Sequence, residues 1–450
     1  MSSVKIFTIL CAVICFTNQL AFSHVIPDYC YSDDNYPYRF AGTKTAYEIE
    51  HDLIKDTAIP DCKPIQIWML IRHGTRYPGK HEIRDMKHKL PKLQRKIIEN
   101  HENGNGSLCQ KDLEKLKSWK LNPDLSVEKW KYLTKQGEED LSSLGERFKN
   151  YFPEIFQSSS ADVSKTKYKF RSTDLQRTIA SMENFITGLF GRDYVSIDTE
   201  IVPAAEDTLL KLYKICKRWT EQMGNSSTNA EVKELINGPL FRQIIDDISQ
   251  RLGFPNSLSL DDAVIMYTSC VFENAWYINE KSPWCAAFTK DELQLFEYEE
   301  DLYYYYHSSY GQEMSSAVGC PPLKDMFTRF AKLENGTSSD EPQGVFYFTH
   351  SSALQLFLTS MGIAKDAVPL TASNFDSMGN RKWSTSHLAP FAANLAAIFY
   401  ECNSSYKVRF YLNERPLEYE GCQMGVCDWD YLKEQIGPNA FNCNADFCSK

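Results

Sequence analysis

Arg72-His73-Gly74-Thr75-Arg76-Tyr77-Pro78 follows directly on the apolar run Ile65-Gln66-Ile67-Trp68-Met69-Leu70-Ile71. That run is bulky and ends in polar residues, which is the pattern of a buried strand. A strand there delivers His73 to the loop at its carboxyl end, where open α/β sheets place their ligands. Arginine offers a planar fork of donors that matches phosphate oxygens, and Arg72 and Arg76 flank an imidazole able to act as a nucleophile. The stretch therefore reads as an anion site with a nucleophile in it. The plain alternative is a loop histidine in a patch of surface charge; the strand ahead of it favours the site.

The remaining chain sets the context. At 450 residues it is long enough for a large core and about two structural units. A net charge of −10 argues against general binding to nucleic acid or to an anionic membrane. Lys5, the apolar run Ile6 to Phe16 and the small-residue pattern Ala21-Phe22-Ser23 read as a secretory signal peptide over residues 1–23, with the mature chain starting near His24. The run is too short to span a bilayer. Leu388 to Tyr400 is interrupted by Pro390 and reads as core, so no transmembrane segment is expected. The tail Asp446 to Lys450 carries neither an apolar anchor signal nor a retention tetrapeptide.

Cysteine usage agrees with export. Of 14 cysteines, Cys11 and Cys15 fall in the signal, and 14 − 2 leaves 12, an even number that in an exported chain suggests disulfides. Sequons at Asn105, Asn225, Asn335 and Asn403 fit a glycosylated surface. The expected location is outside the cell or in the lumen of the secretory or endolysosomal pathway.

No internal repeat is visible. Strand, loop and helix patterns alternate up to about residue 200, with Tyr168 to Arg171 as a strand and a helix from about Leu175 through Phe185. Helical periodicity dominates residues 201–335, and strands return with Gly344 to Phe348 and Tyr406 to Leu412. The expected architecture is an α/β sheet domain in two parts, 24–200 and 336–450, with a mostly helical insertion over 201–335. The run Asp301 to Tyr306 fits either a packed helix face or an aromatic binding groove.

Residues 72–78 carry the RHGxRxP pattern and resemble the signature of the histidine acid phosphatases. Arg171 to Thr178 resembles the second arginine segment of that family. The resemblance implies that Arg177, at a helix start, is a third phosphate-binding arginine, and that Arg171 supports the loop. Its position at a helix N-terminus independently suits an anion. His350, after the strand Gly344 to Phe348, matches the family's second histidine. Within the family the chain looks most like the inositol polyphosphate phosphatases and phytases, through Glu206 to Tyr213, Ser282 to Cys285, Arg381 to Trp383 and Pro390-Phe391. The resemblance implies a histidine-phosphatase fold and a phosphomonoesterase acting on inositol polyphosphates. His73 would be the nucleophile, with Arg72, Arg76, Arg177 and His350 around the phosphate. It also implies the bridges Cys62–Cys402, Cys270–Cys285 and Cys422–Cys427.

One departure matters. The family carries an acid just after its second histidine, as His-Asp or His-Ala-Glu, and here Ser351 and Ser352 follow His350. A hydroxyl is too weak an acid to protonate an alkoxide leaving group. Glu82, Asp85, Asp174, Glu206 and Asp207 are the candidate replacements. Lys80, Arg84, Lys87, Lys89, Lys92, Arg95 and Lys96 form a basic segment after the motif. It reads either as a solvated helix face or as a clamp for further phosphates, with Lys80 and Arg84 nearest the loop. No metal-ligand spacing occurs, so neither metal nor cofactor is implied. Two other functions stay open: a broad acid phosphatase, and a silent phosphate-binding relative that lost turnover with its acid.

Overall fold

A computed structural model of the chain describes residues 29–156, 167–192, 197–336 and 340–449. The expected signal peptide lies outside these residues. Among them, eight strands build one sheet. In chain order they are β1 (Cys62–Arg72), β2 (Tyr168–Thr173), β3 (Thr199–Val202), β4 (Gly344–Thr349), β5 (Asn394–Cys402), β6 (Tyr406–Leu412), β7 (Arg415–Pro416) and β8 (Val426–Asp428). They are arranged β3-β2-β4-β1-β5-β6-β7, with β8 on β6. The half from β3 to β1 is parallel and the half from β1 to β8 antiparallel.

Parallel pairing decides where the site can be. It sets β1, β2 and β4 side by side with their carboxyl ends together, Arg72 opposite Thr349 and Ser172 opposite Phe348. The loops after these strands carry His73, Arg177 and His350.

β1 is buried on both faces, which is why its sequence is a continuous apolar run rather than an alternating one. Ile67, Met69 and Ile71 pack into one core with Leu141, Leu144 and Phe148 of α2 (Lys135–Tyr151) and Met182, Phe185 and Ile186 of α3 (Gln176–Phe190). Trp68 and Leu70 face the opposite core. Ile83, Met86 and Leu90 of α1 (Lys80–Glu102) join that core, with Met266 and Phe272 of α4 (Leu260–Trp276) and Leu295 and Leu302 of α5 (Lys290–Ser308). The sheet is thus the middle of three layers. Truncating a side chain such as Phe148 or Phe272, each fully buried, would cost about 3–5 kcal/mol.

The stretch from Leu212 to Glu334 is helical, closing with α6 (Ser315–Glu334). The boundary drawn at residue 201 falls inside β3, so the sheet runs slightly past it. Because α1 shares a core with α4, the helical layer also draws on the first α/β part. In α5 Leu302 and Tyr305 of the aromatic run are buried, as in a packed helix face, while Tyr303 and Tyr304 line a cavity.

Six disulfides use all the cysteines among the described residues: Cys30–Cys109, Cys62–Cys402, Cys216–Cys448, Cys270–Cys285, Cys320–Cys443 and Cys422–Cys427. Cys62 and Cys402 face each other across β1 and β5. Their bridge closes a separation of 340 residues, which in the chain-entropy model contributes on the order of 5 kcal/mol. Asn105, Asn225, Asn335 and Asn403 are all exposed.

Candidate active site

The loop after β1 is held from behind. Thr75 donates through its amide (2.9 Å) and hydroxyl (2.7 Å) to the Asp140 carboxylate on α2. Gly74 leaves no room for a side chain, since a Cβ there would stand 2.5 Å from the carbonyl oxygen of Gly137. The Gly74 amide donates to Ser181 Oγ at 3.1 Å. Packing of the turn against α2 and α3 therefore requires glycine at position 74.

His73 is 3% exposed. Its Nδ1 lies 2.9 Å from the carbonyl oxygen of Gly74. A carbonyl only accepts, so the ring proton sits on Nδ1 and the Nε2 lone pair is left for chemistry. Burial, then the charges of Arg177 and Arg72, then His350 and Arg76, hold the imidazole pKa well below its ordinary value. These surroundings favour the neutral ring over imidazolium.

Arg72 spends both hydrogens of one amino group on backbone carbonyls, Thr43 at 2.6 Å and Ala389 at 2.7 Å. Its guanidinium lies over Phe391, 4.7 Å from the ring centre. Its Nε is buried and has no partner among the described residues, and neither has the Nε of Arg177. Arg76 donates to the Tyr77 carbonyl at 2.8 Å and lies over Phe272 at 5.6 Å. Burial and the Arg76 charge push Arg72 down to about 9 and Arg177 down to about 10. Guanidinium stays charged at these values. Burial is the larger cause and like charge the second, and a bound anion offsets both.

Arg177 lies in the first turn of α3. Its Nη2 donates to His350 Nδ1 at 3.2 Å, so His350 is neutral with its proton on Nε2, 3.1 Å from Thr173 Oγ1. The His73 and His350 ring centres are 5.7 Å apart. Burial lowers His350 well below the usual range, followed by the charges of Arg177, Lys211, Arg72 and Lys214. The structure thus brings together His73, Arg72, Arg76, Arg177 and His350.

Lys80 and Arg84 lie on the exposed face of α1. Other cations act on the site. Lys211 and Lys214 act on His350, and Lys131 feels Arg76, Arg177 and Lys214. Lys211 and Lys214 fall in the segment Glu206 to Cys216 and, three apart, share one side of a helical turn. Lys131 has a left-handed backbone φ of 57°. Arg171 donates to Glu200 at 3.0 Å and Asp207 at 2.5 Å, which makes it a support for its loop.

No carboxyl follows His350. Ser351 Oγ accepts from Gln355 Nε2 at 2.7 Å at the start of α7 (Ser351–Ser360). Of the five candidate acids, Asp207 is buried on Arg171, and Asp174 holds Lys211 at 2.6 Å. Asp85 and Glu206 are exposed. Glu82 accepts from the Gly79 amide, and its charge acts on Arg76, Lys44 and Lys131. It lines a cavity of about 360 Å³ together with Lys44, Phe272, Tyr304 and Glu299. Burial and the neighbouring Glu300 push Glu299 up to about 7, a carboxyl the sequence reading overlooked.

A sheet between two helical layers that gathers two histidines and three guanidiniums at the carboxyl ends of its parallel strands defines a phosphoryl-transfer site of the histidine phosphatase kind. Residues 65–413 match the family model described as the histidine phosphatase superfamily (branch 2), and the chain belongs to that family. It is 35% identical to multiple inositol polyphosphate phosphatase 1 of Drosophila melanogaster over 94% of this chain and 90% of the relative. The fold resembles the phytase from D. castellii, with a TM-score of 0.73 and 18% identity over 92% of this chain and 87% of the other. It also resembles the Bifidobacterium longum multiple inositol polyphosphate phosphatase in complex with inositol hexasulfate. There the TM-score is 0.66 at 16% identity, over 90% of this chain and 98% of the other.

Proposed function

We propose that the protein removes phosphates from inositol polyphosphates by way of a phosphohistidine on His73. The observation that carries this reading is the free Nε2 lone pair of a neutral His73 set among Arg72, Arg76 and Arg177. The named substrate of the Drosophila relative supports the choice of substrate. So do Lys131, Lys211 and Lys214, which add positive charge around the site for the phosphates not undergoing reaction.

In the first step His73 Nε2 attacks phosphorus in line, the P–N bond forms and the P–O bond to the inositol breaks. The arginines hold the non-bridging oxygens, whose charge they stabilise in the transition state. The leaving alkoxide takes up a proton. We assign this task to Glu82, whose charge acts on Arg76, or to Glu299, which lines a cavity with Glu82 and Phe272. In the second step water gives a proton back to that carboxylate and attacks phosphorus, the P–N bond breaks, inorganic phosphate leaves and neutral His73 is regenerated. No step needs a metal.

The six disulfides and four exposed sequons support work in an oxidising, extracytoplasmic compartment. Secretion or retention in an endolysosomal lumen is part of the proposal. The depressed pKa of His73 suits an acidic lumen.

The test is phosphate release from inositol hexakisphosphate by the mature protein, with glycerol phosphate in parallel. The expected result is a kcat/KM at least about tenfold higher for the inositol substrate. Equal efficiency on both would identify a broad acid phosphatase, and binding without release a silent relative.

A further inference from the structure

Arg72 is held by two loops that are far apart in sequence, and each loop is held in turn by one of two adjacent carboxylates. The Thr43 and Ala389 carbonyls accept from the same Arg72 amino group. Thr43 donates through its amide (3.3 Å) and its hydroxyl to Glu300 Oε1, and Lys44 Nζ pairs with the same oxygen at 2.7 Å. Thr385 donates through its amide (2.7 Å) and hydroxyl (2.6 Å) to Asp301 Oδ1. Arg381 Nε donates to the other Asp301 oxygen at 2.6 Å. The turn from Thr385 then delivers Ala389, whose amide donates to the Thr385 carbonyl at 2.9 Å.

The two loops are also joined to each other. The Gly42 amide donates to Ser386 Oγ at 2.8 Å, and the Phe391 amide to the Thr45 carbonyl at 3.0 Å. Gly42 has φ of 54°, and a Cβ there would collide with the Glu300 carboxylate, so the close approach is built in. Glu300 is 7% and Asp301 0% exposed. Two buried carboxylates beside a cationic site are costly unless each is fully engaged, and each here is engaged by a loop that grips Arg72.

We propose that Glu300 and Asp301 are positioning residues for Arg72, fixing from α5 the two carbonyls that aim its guanidinium at phosphate. This rests on reading Arg72 as a phosphate ligand. With one amino group fixed on Thr43 and Ala389, the Nε and Nη2 edge of the guanidinium remains for two phosphate oxygens. That edge is the one suited to bidentate binding. The helical layer thereby sets the geometry of a residue at the end of β1.

The experiment is a double-mutant cycle on turnover of inositol hexakisphosphate and on the inhibition constant of inorganic phosphate. Glu300→Ala and Asp301→Ala should each lower kcat/KM on the order of 10- to 100-fold and weaken phosphate inhibition. In an Arg72→Ala background, assayed at high enzyme concentration, each should cost less than about twofold more. Full additivity, or no loss from either acid variant when Arg72 is present, overturns the proposal. Should the alanine variants fail to fold, Thr43→Val and Thr385→Val each remove only a hydroxyl donor. Each should cost several-fold when Arg72 is present and nothing when it is absent; equal loss in both overturns the proposal. If Arg72→Ala itself costs nothing while the wild type turns over, the reading of Arg72 fails and the positioning role with it. If Arg72→Ala is impaired and the acid variants are not, only the positioning role fails.

Discussion

Arg177 Nη2 donates to Nδ1 of His350 across 3.2 Å, which ties the start of α3 to the end of β4 and fixes which nitrogen of His350 keeps the proton. The same guanidinium is, after burial, the leading cause of the lowered pKa of both His73 and His350.

Removing that charge while keeping an amide should therefore show twice. Arg177→Gln should lower kcat/KM on the order of 10²- to 10³-fold, as loss of a charged transition-state donor does. It should also move the acid limb of the kcat/KM profile to higher pH, because both histidines then protonate more readily. A pH–rate profile checks this. An unchanged acid limb would separate Arg177 from His73.

Stability should depend on pH through Asp140, which is buried beneath the catalytic loop and pushed by burial from 3.8 up to about 6. Between these values the folded state binds the proton more tightly than the unfolded one, so this group's contribution to stability falls as pH rises from about 4 to 6. Asp140→Asn keeps an oxygen for Thr75 and removes the titration. The melting temperature of the wild type relative to the variant should therefore decline across that window. Glu299, raised to about 7, keeps a slope of the same sign in both proteins. A difference that grows with pH would contradict the assignment.

The serines after His350 predict a dependence on the leaving group. A nitrophenolate departs without a proton, whereas an inositol alkoxide needs one. Ser352→Glu should raise turnover of the inositol substrate, up to about 10²-fold if protonation limits the wild type, and leave the nitrophenyl rate nearly unchanged. If the wild type already matches a relative carrying His-Ala-Glu, Glu82→Gln and Glu299→Gln should find the acid in use, by lowering the inositol rate alone.

The motif, its strand and the strand ending at His350 were legible because a buried parallel strand is a continuous apolar run closed by polar residues. β5 was not: Asn394 to Cys402 is also buried, but Pro390 and the short turn before it blurred its start, and it read only as core. The members of the site carried by local motifs, Arg72, His73, Arg76 and Arg177, could be read one segment at a time. What holds Arg72 could not. Thr43 and Ala389 offer backbone carbonyls, which every residue has, and only the fold makes these two special. Lys80 and Arg84 lie on the exposed face of α1, because Ile83, Met86 and Leu90 claim its inner face. Lys211 lies in the family-like segment Glu206 to Tyr213 and Lys214 just beyond it, but only the fold shows that they, and Lys131, act on the site.

The most direct test of the central claim is the phosphoryl-enzyme itself. The protein would be mixed rapidly with inositol hexakisphosphate, quenched in alkaline denaturant to protect a P–N bond, digested and mapped by mass spectrometry. A phosphoryl group on His73, formed before phosphate is released and absent from His73→Ala, is the predicted result. Phosphate release with no adduct on His73, or an adduct on His350 instead, would contradict it.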